Sequence, residues 1–168
     1  MMTKFEMAIY TVILVCLVAG LAYAAWKRRQ RMQEATFSAP LEALEYFGEP
    51  IAESKVFYVA TTFADNKLER VNAYGLGSRG NGQILVFSEG LLIVRTGERP
   101  LAVDKAQLTE VSKSTAVIDK AVETDGLLSI SWMQDSTELA THLRVIETAS
   151  REALIASIES IITREVVK

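Results

Sequence analysis

The chain has 168 residues, which bounds it to roughly one domain; 49% hydrophobic and 23% charged residues are ordinary globular proportions, and three prolines with nine glycines exclude a collagenous or low-complexity chain. One cysteine excludes a disulfide framework and any multi-cysteine zinc site, and a single histidine leaves no histidine-rich metal cluster. A net charge of −3 and a pI near 5.3 argue against a dedicated nucleic-acid binder, and the positive mean hydropathy of +0.18 comes largely from one N-terminal segment.

That segment is Met7 to Trp26, 20 consecutive residues without a charge. At 1.5 Å per residue such a helix is about 30 Å long, the thickness of a bilayer's hydrocarbon core. Tyr10 stands near one end and Tyr23 with Trp26 near the other, where amphipathic rings favour the interface. Lys27, Arg28, Arg29 and Arg31 follow at once, against Lys4 alone on the short N-terminal side. The positive-inside rule then predicts one span with residues 1–6 outside and the bulk of the chain in the cytoplasm, at the cell membrane. Ala22-Tyr23-Ala24 fits a signal-peptidase site, but the n-region is barely positive and the apolar run is long for an h-region. We read an anchor. Cys16 becomes an inert thiol in lipid.

Residues 27–54 read as a basic juxtamembrane segment and an acidic linker. The four cations fix topology and are available to anionic lipid headgroups. Ser38 with Pro40 and Gly48 can bound a short helix. Glu42, Glu45, Glu49 and Glu53 predict a tether repelled from an anionic bilayer, holding the folded domain off the lipid surface.

From residue 55 to 168 the pattern becomes short alternating runs. Strands are predicted over Val56–Thr62, more weakly over Val71–Ser78, then Gln83–Ser88 and Leu91–Arg95 as a hairpin turning at Glu89-Gly90. Arg99–Val103, Leu108–Ser112, Thr115–Ile118, Leu127–Met133 after an Asp125-Gly126 turn, and Glu138–Ile146 complete the series. Ala149, Ala153, Leu154, Ile158, Ile161, Ile162 and Val166 then recur at helical spacing, predicting an amphipathic helix over about residues 148–167, capped by Thr148 or Ser150. About seven short strands followed by one helix predict a mainly-β barrel plugged at one end.

Strand order with a terminal helix is the plan of the pleckstrin-homology-like (PH-like) barrel. Tyr58-Val59-Ala60-Thr61-Thr62, Leu68-Glu69-Arg70-Val71 and Gly75-Leu76-Gly77-Ser78-Arg79-Gly80 resemble the membrane-anchored PH-like proteins of actinobacteria. So do Gly90-Leu91-Leu92-Ile93-Val94-Arg95 and Gly126-Leu127-Leu128-Ser129-Ile130-Ser131-Trp132. The resemblance implies one N-terminal span, a cytoplasmic barrel and frequent encoding among pyrimidine-biosynthesis genes. It implies no established activity. The acidic linker departs from the basic approach to the barrel expected of the family.

Gly75 to Gly80 matches G-x-G-x-x-G, but a strand rather than a helix follows it, so no helix N-terminus is available for a pyrophosphate. The glycines are expected to serve a positive φ, a bulge or a close strand crossing. Lys67, Arg70 and Arg79 straddle the first hairpin, where they are candidates for contact with an anionic headgroup or a phosphopeptide. Against that, residues from Phe37 onward carry 13 basic and 19 acidic side chains, a net of −6, and the default is a solvated loop. Trp132 is expected to pack in the core or the barrel mouth, with an interface anchor as the alternative. His142 shares a predicted face with Arg144 and is expected to face solvent, without partners for zinc or triad chemistry. No catalytic set, metal or cofactor is expected. The sequence predicts a membrane-tethered binding or scaffold module for a protein partner, the alternative being a ligand- or lipid-sensing accessory subunit of a transport complex.

Overall fold

The computed structural model describes residues 3–43, 48–114, 116–117, 120–121 and 127–162. It opens with α1, Lys4–Glu34, whose first turn is closed by a reciprocal capping box. The Glu6 amide donates to Thr3 Oγ1, and the Thr3 amide donates to Glu6 Oε2. The helix continues unbroken through the basic cluster. Among the described residues it is the one helix long and apolar enough to cross a membrane.

The remainder is a seven-stranded antiparallel sheet. Its strands are β1 (Ala52–Phe63), β2 (Gly80–Phe87), β3 (Gly90–Arg95), β4 (Leu101–Asp104), β5 (Leu108–Ser114), β8 (Leu127–Gln134) and β9 (Thr137–Val145). A separate two-residue pair, β6 (Ala116–Val117) with β7 (Lys120–Ala121), intervenes. The order β4-β3-β2-β1-β9-β8-β5 puts β4 and β5 at opposite sheet edges, yet only residues 105–107 connect them. The sheet must therefore curl on itself. β1 makes this possible: its first half pairs with β2, its second with β9, and the register shifts between Tyr58 and Ala60.

One core fills the curl, from Val56, Ile84 and Ile93 to Trp132, Leu139 and Leu143. Helix α2, Arg151–Ile161, closes one end with Leu154, Ile155, Ile158 and Ile161 buried. Ser150 occupies its N-cap position, but the hydroxyl donates back to the Glu147 carbonyl instead of capping. Residues 163–167 of the predicted helix and the Asp125-Gly126 turn lie outside the described residues.

Several sequence expectations are corrected. Val71–Ser78 is not a strand: Tyr74 and Gly75 both take left-handed φ values (53° and 72°) around a 3-10 turn, which breaks extended pairing. The first tight hairpin turns at Ser88-Glu89, with Gly90 already paired to Phe87. The first part of the segment read as a tether docks on the barrel, and residues 44–47 of it lie outside the described residues. Phe37 is buried in the core against the rings of Phe63 and Tyr74, Leu41 bridges to Ala102 of β4, and residues 38–43 form no helix. Burial of one aromatic ring outweighs the weak mutual repulsion of exposed carboxylates.

Candidate functional site at the junction of helix and barrel

β1 defines the two ends of the barrel. Near its start Ser54 meets Ser150 beside α2, and at its finish Phe63 meets Phe37, just past α1. The 64–79 loop and the β8–β9 turn therefore lie at the end from which α1 departs. Gln33, 5% exposed, ties α1 to the loop: its Nε2 donates to the Arg70 carbonyl (3.1 Å), and its Oε1 accepts the Asn72 amide (2.7 Å). Tyr74 Oη donates to the Glu34 and Phe37 carbonyls. The Asp135 carboxylate accepts from the Ser38 amide and hydroxyl, and Arg29 pairs with Glu69 at 3.1 Å.

A cavity of about 290 Å³ opens at this junction. Its walls are Gln30 and Glu34 of α1, the chain at Ala39–Glu42, the Tyr74–Leu76 turn and the β3–β4 turn from Arg95 to Leu101. Arg95 is only 4% exposed and sits 4.5 Å from the Tyr58 ring centroid. Its Nη1 donates to the Gly75 carbonyl (2.7 Å) and its Nη2 to that of Arg99 (3.0 Å), while Nε is buried with no acceptor.

Behind Arg95 a polar chain crosses the core. Trp132 Nε1 donates to Thr141 Oγ1 (3.0 Å), Thr141 and Thr61 share a hydroxyl bond (2.9 Å), and Tyr58 Oη meets Thr61 Oγ1 (2.5 Å) and the Leu76 carbonyl (2.9 Å). Burial pushes the Tyr58 phenol up to about 12, opposed by the Arg95 charge. The phenol stays protonated and serves as a donor.

The predicted site residues are dispersed. Lys67 and Arg79 are exposed, while Arg70 is half-buried and turns inward, its Nη1 reaching the Gly77 carbonyl at 3.4 Å. Arg70 thereby braces the glycine-rich loop. Trp132 is fully buried and has no surface to offer a partner. Arg29 meets Glu69, whereas Lys27, Arg28 and Arg31 stay exposed on α1, Lys27 leaning over the Tyr23 ring.

His142 does not face solvent. It is fully buried with Nε2 3.0 Å from Thr62 Oγ1, because β9 is a central strand covered on both faces from Leu139 to Leu143. Burial, with the nearby Lys67 charge, lowers its pKa to about 4. The G-x-G-x-x-G run is indeed followed by a strand: Gly75 closes the 3-10 turn and Gly80 opens β2.

Arg95 and Gln33 were not singled out from sequence, although both carry a signal. Leu91, Ile93 and Arg95 share one side of β3 by its period of two, which puts a guanidinium on an inward face. Gln33 falls seven residues after Trp26, on the same side of the helix.

No curated protein matches the chain. Among solved structures, a chain from "The 8S snRNP Assembly Intermediate" is similar at a TM-score of 0.42 and 10% identity, over 74% of this chain and 86% of that one. A chain from "Critical structural role for the PH and C1 domains of the Vav1 exchange factor" is similar at 0.43 and 13%, over 84% of this chain and 34% of that one. One from "Vav1 inhibited by an allosteric inhibitor" stands at 0.42 and 12%, over 86% and 35%. The chain thus spans about a third of the Vav1 chains, and these low likenesses carry no weight for function. The model of the Bacterial PH domain-like family matches residues 38–159, from the docked segment after α1 to the last turns of α2. The chain belongs to the Bacterial PH domain-like family.

Proposed function

We propose that this protein is a single-span, membrane-tethered docking module whose barrel holds a protein partner in the cytoplasm, without catalysis. The observation that carries the reading is the fixed junction between α1 and the barrel. A span free to pivot would only concentrate the domain near the membrane, whereas the Gln33 and Phe37 contacts also orient it. With the basic cluster on the cytoplasmic side, the 64–79 loop and β8–β9 turn face the bilayer and α2 faces away. The partner surface is then the free edge of β5, which no described strand pairs on its outer side. A shallow cavity of about 130 Å³ separates this edge from Glu159 of α2 and Ile162 just after it. A strand edge left open beside a helix accepts an extended segment by strand addition.

The test is a photoreactive residue at Thr109 or Glu110 in the full-length protein, crosslinked in cells and followed by mass spectrometry. A reproducible protein adduct from these positions, absent when the probe stands at Lys55, is expected. Lipid-only adducts, or identical adducts from all three positions, would overturn the reading. A reporter fused after Lys168 should be active only in its cytoplasmic form; the opposite result removes the orientation.

A further inference from the structure

We infer that the cavity at the helix–barrel junction binds a small zwitterion, a primary ammonium joined within a few bonds to a phosphate or carboxylate. This goes beyond the docking role, and only its position relative to the lipid rests on the reading of α1 as a span. The Arg95 guanidinium is nine-tenths buried, no carboxylate lies within ion-pair distance of it among the described residues, and its Nε–H lacks an acceptor. Two neutral carbonyls hold its Nη atoms, so the buried charge still wants an anion.

The remaining wall has the opposite character. Glu42 and Arg99 neutralise one another at 2.8 Å. Glu34 on α1 and Glu98 on the β3–β4 turn have no cation within ion-pair distance among the described residues. Glu98 folds over Gly75, its carboxylate occupying the space in which a side chain at that position would stand. Arg95 donates to the carbonyl of that same glycine, so the buried cation and this carboxylate flank a single residue. A plain anion would be repelled by Glu34 and Glu98, and a plain cation would leave Arg95 unanswered. A zwitterion satisfies both.

Size and position agree. About 290 Å³ is at the small end of ligand sites. Gln30 and Glu34 lie roughly 6 and 12 Å beyond Trp26 along the helix, so on the reading of α1 as a span the cavity runs from the lipid headgroup layer to just outside it. The ligand is then either an ethanolamine-type phospholipid headgroup or a soluble amino phosphate or amino acid of the same chemistry.

The experiment uses the full-length protein in nanodiscs of phosphatidylglycerol, titrated with phosphoethanolamine, inorganic phosphate and ethanolamine, with binding read by phosphorus NMR and by the thermal shift. Saturable phosphoethanolamine binding is expected, at least tenfold tighter than either fragment. Glu34→Gln and Glu98→Gln should each weaken it about tenfold while leaving the unliganded melting temperature unchanged, since both side chains are exposed. Adding phosphatidylethanolamine to the discs separates the sources: competition assigns the lipid headgroup, and its absence assigns the soluble ligand. No saturable binding, equal affinity for phosphate alone, or binding undiminished in both variants would overturn the inference.

Discussion

The side chain of Gln33 completes the backbone of a distant loop, accepting the Asn72 amide at 2.7 Å as a neighbouring strand would. Its other end donates to Arg70, so one amide group spans two residues of the 64–79 loop. This is how a helix of 31 residues is held to a sheet it scarcely packs against. Gln33→Ala leaves the Asn72 amide and Arg70 carbonyl without their partner, at a cost of about 1–3 kcal/mol. Hydrogen exchange should show the Asn72 amide accelerating strongly, with β9 amides little changed. An unaltered Asn72 rate would show that the helix is held by other contacts.

The buried polar chain predicts an effect that apolar packing would not. Thr141→Val keeps the shape of the side chain but leaves Trp132 Nε1–H facing a methyl group, costing about 2 kcal/mol. Trp132→Phe alone also destabilises. The double variant should lose about 1 kcal/mol less than the two singles together, because the orphaned donor is gone. Denaturant unfolding of the full-length protein in mild detergent gives the cycle, and strict additivity would argue against a coupled chain.

Two glycines on β2 are chemically alike and should respond oppositely. A Cβ at Gly82 would collide with the Val94 carbonyl on the paired strand, whereas nothing lies within 4 Å of one at Gly80. Gly82→Ala should cost about 2 kcal/mol or more, and Gly80→Ala should fall within about 0.5 kcal/mol of zero. Melting temperatures of the two variants decide it.

His142 makes stability fall in mild acid. Its folded pKa of about 4 lies below the usual value near 6.5, so the unfolded chain takes up the proton first as pH drops. The contribution is complete above about pH 6.5, is lost as pH falls towards 4, and is flat below that. Fully developed it is on the order of 3 kcal/mol. His142→Gln, which can still bond Thr62, should flatten the melting temperature between pH 6.5 and 4.5 relative to the parent. An unchanged slope would assign the acid sensitivity to the carboxylates.

The strands were legible because alternation is local: β3, β8 and β9 lie within a residue or two of their sequence boundaries. The segment from Val71 to Ser78 was not, since its β-branched start looks extended while left-handed φ values at Tyr74 and Gly75 depend on the packing of Ala73 and Leu76. Linker composition misled for a similar reason: four glutamates dominate the average, but Phe37 decides the path. His142 needed knowledge that β9 is central. The cavity is the least legible part, because it joins positions 30, 34, 75, 95 and 98, which only the fold brings together.

The unbroken helix also gives the barrel a heading. Trp26 precedes Gln33 by seven residues, within about 20° of two full turns, so both sit beneath the barrel's side of the shaft. Ala22 and Val15 continue that line into the apolar stretch, while Leu17, Gly20 and Ala24 fall on the reverse side. A neighbouring span leaning on the small-residue seam of Gly20 and Ala24 would stand clear of the barrel, and one leaning on Ala22 would stand under it. One residue inserted between Trp26 and Gln33 swings the whole barrel by about 100° and lifts it about 1.5 Å. Residue count along the shaft is therefore a compass setting, read out at the far end of the helix as the direction in which β5 points.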